Sequence, residues 1–471
     1  MHLLFLLFSA AAALATPKDN TVKATDIGII GDGTTINTAT IQSAVDSLAD
    51  NGGGCLRFPK GKYLTGSIML RSNVHLLLDR NATILGSTNP DDYRAVATED
   101  EDIRKDNSKL ALLIAENARN ITITGKGCID GRGLNLALAI DSLHHAGIRV
   151  DPLYNNRRHR PNETARPKLI FLSRCNNIRI EETEMRNSAA WGLSFDLCKD
   201  LTLRKLNITN RAYWNNDGID ITDCRNVVIS KCRINSADDG ICLKSYHTDG
   251  ANDSITISDC HIRSSASAVK FGTASWGAFR NVRIDKIRIR DTFRSAIAIE
   301  SVDGAVIENI HITDIKAKNT GNAIFIRLGH RSGSKPGKIE NIRIENMKVK
   351  IPFARPDINY DLRGPEPDFF HNPLPSSISG IPGYPIRNII LGNITISCPG
   401  RASKGMAYIP LTRLNDIPEN INGYPEFTMF GELPCRGLFL RHVDGIRLDN
   451  VRLKLRHRDF RPDIIRIDVK E

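Results

Sequence analysis

Two short acidic strings, Asn215-Asn216-Asp217-Gly218-Ile219-Asp220 and Ala237-Asp238-Asp239-Gly240, lie about one repeat period apart in a chain of short β-branched runs. If the repeats stack as coils, equivalent positions one period apart become neighbours at roughly the inter-strand distance of 4.8 Å. The carboxylates then cluster. Like charges held that close push their pKa values up and apart, which is costly for folding and useful for chemistry. Hydrolysis of a glycosidic bond uses such a split, with one protonated acid and one ionised base. Any single aspartate can equally be a turn residue, as Asp200 and Asp223 are read to be. Adjacent Asp238 and Asp239 beside Asp217 have no such structural purpose.

The elements that must hold these strings recur from about residue 74 onward: NVHLLLD, NITITGKG, NIRIEETEM, DLTLRKLNI, NVVISKCRI, SITISDCHI, NVRIDKIRI and their successors to GIRLDNVRL. Units begin roughly 23 to 28 residues apart, a solenoid period. Apolar residues alternate within each unit, as at Ile178 and Ile180, which is the period of a strand. No unit can bury its own apolar face, so stacking is obligatory. The expected fold is all-β, a right-handed parallel β-helix forming one domain over 16–471. Asn or Asp leads most units and is expected to occupy a left-handed corner. Thr38 to Asn51 places Ile41, Val45 and Leu48 at helical spacing before Gly52-Gly53-Gly54, which predicts a short helix capping the open N-terminal end. The polar, nonperiodic insert Ile140 to Arg166, with His144, His145, Arg157, Arg158, His159 and Arg160, is expected as a loop over a binding groove. The proline-rich stretch Ile351 to Tyr384 is expected to wrap the groove near the C-terminal coils.

Composition narrows the setting. The apolar run LLFLLFSAAAALA reads as a cleavable signal peptide over 1–15, too short to span a bilayer, and no later segment is long enough to do so. A secreted, extracellular protein is expected. Lysine and arginine number 64 against 53 acidic residues, a formal charge of +11 over 471 residues that favours a polyanion such as an acidic polysaccharide or simply gives a basic surface. No nucleic-acid motif is present, and neither nucleic acid nor membrane is expected as partner. Ten cysteines in an exported chain make disulfides plausible, with Cys398 and Cys435 the best candidates; Cys175, Cys198 and Cys224 sit at repeating positions and are expected to stack as thiols. Sequons at Asn81, Asn120, Asn162, Asn207, Asn252 and Asn393 admit glycosylation, though NIT is also a natural corner-and-strand string.

Taken in order, GDGTTINTATIQSAVDSLADNGGG, FPKGKYLTGSIMLRSNVHLLL, NSAAWGLSF, NNDGIDI and ADDGICLKS resemble glycoside hydrolase family 28, the polygalacturonase group of right-handed parallel β-helices. The resemblance implies hydrolysis with inversion by direct attack of water. It implies Asp238 as general acid, Asp217 and Asp239 as the water-activating pair, and Asp220 as a supporting acid. Acid and base are then expected roughly 6.5 to 9.5 Å apart. Two family strings are altered. Where polygalacturonases carry Gly-His-Gly, this chain has Ser265 to Thr273 with Ser267 nearest the histidine, and the carboxylate-binding Arg-Ile-Lys reads Ala298-Ile299-Glu300. Lys270, Arg327 and His330 are candidate replacement cations; equally, Lys270 and Glu300 can pair across coils. Lys244 is expected to help hold Asp239 ionised. The segment Tyr424 to Gly431 resembles one in a family branch distinct from the polygalacturonases, and a loop with Tyr424, Glu426, Arg441 and His442 is a candidate cover for the sugar site.

The expected function is a secreted inverting glycosidase on pectic or related polysaccharide or oligosaccharide, acting from chain ends, as a monomer and without metal or cofactor. Two alternatives stand. One is a polysaccharide lyase using Lys270 or Arg327 as base, with the aspartates holding calcium. The other is a non-catalytic carbohydrate-binding β-helix.

Overall fold

The computed structural model describes residues 20–96, 108–356, 374–411 and 413–471, with only backbone over 408–411. The leader assigned to 1–15 and the middle of the 351–384 stretch lie outside the described residues. Successive coils each give one strand to each of three parallel ladders, and the crossovers make a right-handed β-helix. The first ladder, which bears the acidic strings, runs through Leu110–Glu116, Lys168–Ser173, Leu193–Asp196, Ile219–Thr222, Ile241–Ser245 and Val269–Ser275, then continues to Ile464–Lys470.

Alternation explains the core. Ile178, Leu201, Val227, Ile255, Val282, Ile310, Ile342, Ile389 and Ile446 pair coil upon coil, all buried. Each such side chain removed from water contributes about 1.5–3 kcal/mol. The polar residue before each file takes the corner. Asn73, Asn120 and Asn177 have φ of 64°, 57° and 55°, and the amides of Asn120 and Asn177 each donate to the side-chain oxygen of the asparagine one coil earlier at 2.7 Å. Short polar side chains tolerate that left-handed turn, and stacking satisfies their amides. Asp200 joins this ladder by accepting from Asn226 at 2.9 Å, and Asp223 receives Ser245 Oγ and the N–H groups of Tyr246 and His247.

Helix α1, Thr38–Asp50, buries Ile41, Val45 and Leu48 over the N-terminal coils, where an open solenoid end would expose strand edges. The insert is only partly the expected loop. Its start is helix α2, Gly133–His145, which buries Leu136, Ala137 and Ile140 at i, i+1 and i+4. Within the proline-rich stretch, Ser376–Ser379 is a regular strand of the first ladder. All ten cysteines are free thiols. Cys398 and Cys435 do not bridge; their thiols meet the carbonyls of Arg436 and Leu438. The Cys198 N–H donates to Cys224 Sγ, as a stacked cysteine file requires. No helix among the described residues is long and apolar enough to cross a membrane.

Candidate active site

Glycines set the aspartates. The N–H of Gly218 donates to Asp239 O and that of Gly240 to Ser267 O, so Asp217, Asp239 and Ser267 lie in one file on consecutive coils. A Cβ at Gly218 would meet Gly240 O at 2.4 Å, and one at Gly240 would meet Ala268 O at 2.6 Å. Only glycine permits this approach. The neighbouring file carries Asn216 and then Asp238, whose N–H donates to Asn216 O. Arg294, whose N–H donates to Ala266 O, continues it two coils beyond Asp238.

The result is a compact acid cluster. Asp217, Asp238 and Asp239 each bring an oxygen to within 4.8 Å of the others. That is closer than the separation expected for acid and base flanking a water, because two of the groups are sequence neighbours and the third is one coil away. Asp217, Asp220 and Asp239 are buried, whereas Asp238 is partly exposed. Two lysines divide the acids between them. Lys244 Nζ lies 3.4 Å from Asp217 and 3.1 Å from Asp220, with the Trp191 ring 4.1 Å away. Lys270 Nζ lies 3.3 Å from Asp239 and 3.8 Å from Glu300.

This division separates the protonation states. Burial raises Asp238, and ionised Asp239 beside it adds to the rise. For Asp239 burial acts the same way, but Lys270, Lys244, Arg294 and the Ser267 N–H outweigh it and hold the carboxyl below its ordinary value. Asp217 is displaced upward by burial and then by Asp220, since one ammonium serves two buried carboxylates. Of the pair expected to activate water, only Asp239 is displaced toward its ionised form. Glu300 is pushed up to about 7 by burial, against the pull of Lys270.

Asp217, Asp220, Asp238, Asp239, Lys244, Lys270 and Glu300 are thus brought together. Arg327 and His330 are not. Arg327 is fully buried and spends its terminal nitrogens on Ser379 Oγ and the carbonyls of Gly380, Glu419 and Asn420, so it fastens the C-terminal loop and cannot reach the groove. His330 lies in a turn, with Nε2 against Gly333 O. The C-terminal loop does fold back. Glu426 makes a 2.7 Å ion pair with Arg294, and Tyr424 Oη lies 3.2 Å from Thr273 Oγ1. Arg441 and His442 stay at the loop's base, on Glu419.

Sequence reasoning missed three groups here. Arg294 could have been found by extending the Asp238 file two periods. Trp191 lay unremarked inside NSAAWGLSF. Lys168 is buried against the Phe171 ring at 3.9 Å, with no hydrogen-bond partner for its Nζ, and burial pushes it down to about 7.

Three convergent carboxylates are also a donor set for a hard cation. Lys244 and Lys270 already neutralise that set, which opposes a second cation there. Lys270 is equally ill-suited as a lyase base: although burial favours its neutral form, Asp239 and Glu300 outweigh this and raise it well above its ordinary value. A hollow of about 850 Å³ over Asn341, Arg343, Asn388, Arg447 and Arg466 shares no residue with the cluster.

A parallel β-helix with split carboxyls clustered on one ladder has the equipment of a glycoside hydrolase. The chain belongs to glycosyl hydrolases family 28, whose model matches residues 55–351. A probable polygalacturonase of Vitis vinifera is 25% identical over 411 residues, covering 80% of this chain and 74% of that protein. An exo-poly-alpha-D-galacturonosidase of Dickeya chrysanthemi is 27% identical over 268 residues, 48% of this chain and 42% of its own length. The hyperthermoactive exopolygalacturonase of Thermotoga maritima superposes with a TM-score of 0.67 at 21% identity, over 93% of each chain. The family 28 exopolygalacturonase of Yersinia enterocolitica gives 0.65 at 17%, over 96% of this chain and 78% of that one, a likeness of fold.

Proposed function

We propose that the protein is a secreted, end-acting hydrolase of pectic chains that works by single displacement, with Asp238 as acid and Asp239 as base. The observation that carries this is the opposite displacement of two adjacent carboxyls, Asp238 upward and Asp239 downward, with Lys270 placed on Asp239. Asp238 protonates the leaving oxygen. Asp239 takes a proton from the attacking water, which Asp217 orients. Names of the plant and bacterial relatives support a galacturonate-containing polymer.

End action is supported by two covers. Arg166 bolts the 140–166 insert to the turn before Trp191 through the carbonyl of Ala189, and to the acidic loop through Trp214 O and Asn215 Oδ1. On the other side stands the loop carrying Tyr424 and Glu426. The test is Asp238→Asn against a panel of homogalacturonan and rhamnogalacturonan fragments. Wild type is expected to release single terminal sugars and the variant to lose at least about a hundredfold in rate. Unchanged turnover would remove Asp238 from its role, and mixed internal fragments from wild type would exclude end action.

A further inference from the structure

The insert holds one cation that the chemistry described above does not use. Arg160 is 5% exposed, and its Nε and Nη1 are buried without a hydrogen-bond partner. Its guanidinium lies 4.5 Å over the Trp214 ring, and Arg158 approaches the same ring at 5.7 Å. Trp214 stands three residues before Asp217, on backbone pinned by Arg166. Glu163 in the insert and, after it, Asp238 are the carboxylates whose charges act on Arg160.

A buried guanidinium with idle donors is costly to keep, and burial depresses its basicity. On the opposite side of the cluster Lys270 is spent on Asp239 and Glu300, and Arg294 on Glu426. Among the described residues, a sugar carboxylate entering on that side would meet Lys270 and Arg294 already paired. On the Arg160 side it would find a planar fork, already stacked on an indole, whose donors match two carboxylate oxygens.

We infer that Arg160, held on Trp214, binds the carboxylate of a uronate residue on the insert side of the acid cluster. This rests on the reading of the groove as a pectic-sugar site and names the group that selects the acidic sugar. The cations missing from the Ala298-Ile299-Glu300 region are then replaced from the insert, and the sugar on the C-terminal side need carry no charge.

The experiment is calorimetric titration of the full chain with galacturonic acid, its methyl ester and galactose. Wild type should bind the free acid at least tenfold more tightly than either neutral sugar. Arg160→Gln should remove that preference and leave galactose binding unchanged, and Arg160→Lys should restore part of it. The comparison of free acid with ester in wild type needs no variant, so it decides even if a substitution impairs folding. Equal binding of acid and ester by wild type, or an undiminished preference in Arg160→Gln, would overturn the proposal. Retained acid preference in an enzyme that hydrolyses no pectic fragment would support the Arg160 site while sinking the hydrolytic role.

Discussion

Replacing Lys270 with methionine keeps most of its length and removes the charge nearest Asp239. The Nζ to Oδ2 distance of 3.3 Å corresponds to about 5 kcal/mol at an effective dielectric of about 20. Lys244 and Arg294 remain, so the net effect is smaller, but breaking a buried pair still costs about 3–5 kcal/mol. Even about 2 kcal/mol spent on Asp239 lowers its ionised fraction more than tenfold wherever proton uptake competes. Asp239 must be ionised to act, so the acid limb of the kcat/KM profile should move to higher pH. Stability follows the same sign. A carboxyl held low in the fold stabilises above its unfolded pKa and loses that contribution as pH falls through its folded value. The Lys270→Met deficit should therefore be largest near neutrality and shrink in acid. Glu300, already near 7, takes up a proton in the variant and cushions part of the loss. Rate profiles, and urea unfolding at pH 7 and at a pH below the ordinary aspartate value of 3.8, measure both effects. An acid limb identical to wild type would refute Lys270 as the group that keeps Asp239 ionised.

Glu426→Gln strips the counter-charge from Arg294, which then favours ionised Asp238 more strongly; the basic limb of the rate profile should move to lower pH, and an unmoved limb would separate the C-terminal loop from the chemistry. Gly240→Ala forces a Cβ to within 2.6 Å of Ala268 O and 2.5 Å of Ile262 Cγ2, so thermal melting should show a loss of about 2 kcal/mol or more, together with lowered activity as Asp239 shifts. Ile284→Ala, at a fully buried core position, should cost about 2–5 kcal/mol in denaturant unfolding with the pH profile unchanged.

The fold was legible because a solenoid writes its geometry into the sequence at every period. Asn120 and Asn177 announce the corners, Ile178 and Ile180 the buried face, and Ile41, Val45 and Leu48 the cap. The acid cluster was legible for the same reason, since one period of offset becomes one coil of height. Helix α2 was missed because its apolar residues Leu136, Ala137 and Ile140 precede the charged stretch that marks the insert. Arg294 and Glu426 meet only when the loop folds back, and no local period links positions so far apart. Arg327 looked like a groove cation because its strand position faces outward. The loop that consumes it, through Glu419 and Asn420, could be placed only in three dimensions.

The most direct test follows the anomer released from an α-linked galacturonate oligomer by ¹H NMR, with wild type and Asp238→Asn side by side. The β-anomer should appear first with wild type and essentially nothing with the variant. Initial α-anomer, an unsaturated product, or undiminished release by Asp238→Asn would contradict single-displacement hydrolysis by this aspartate cluster.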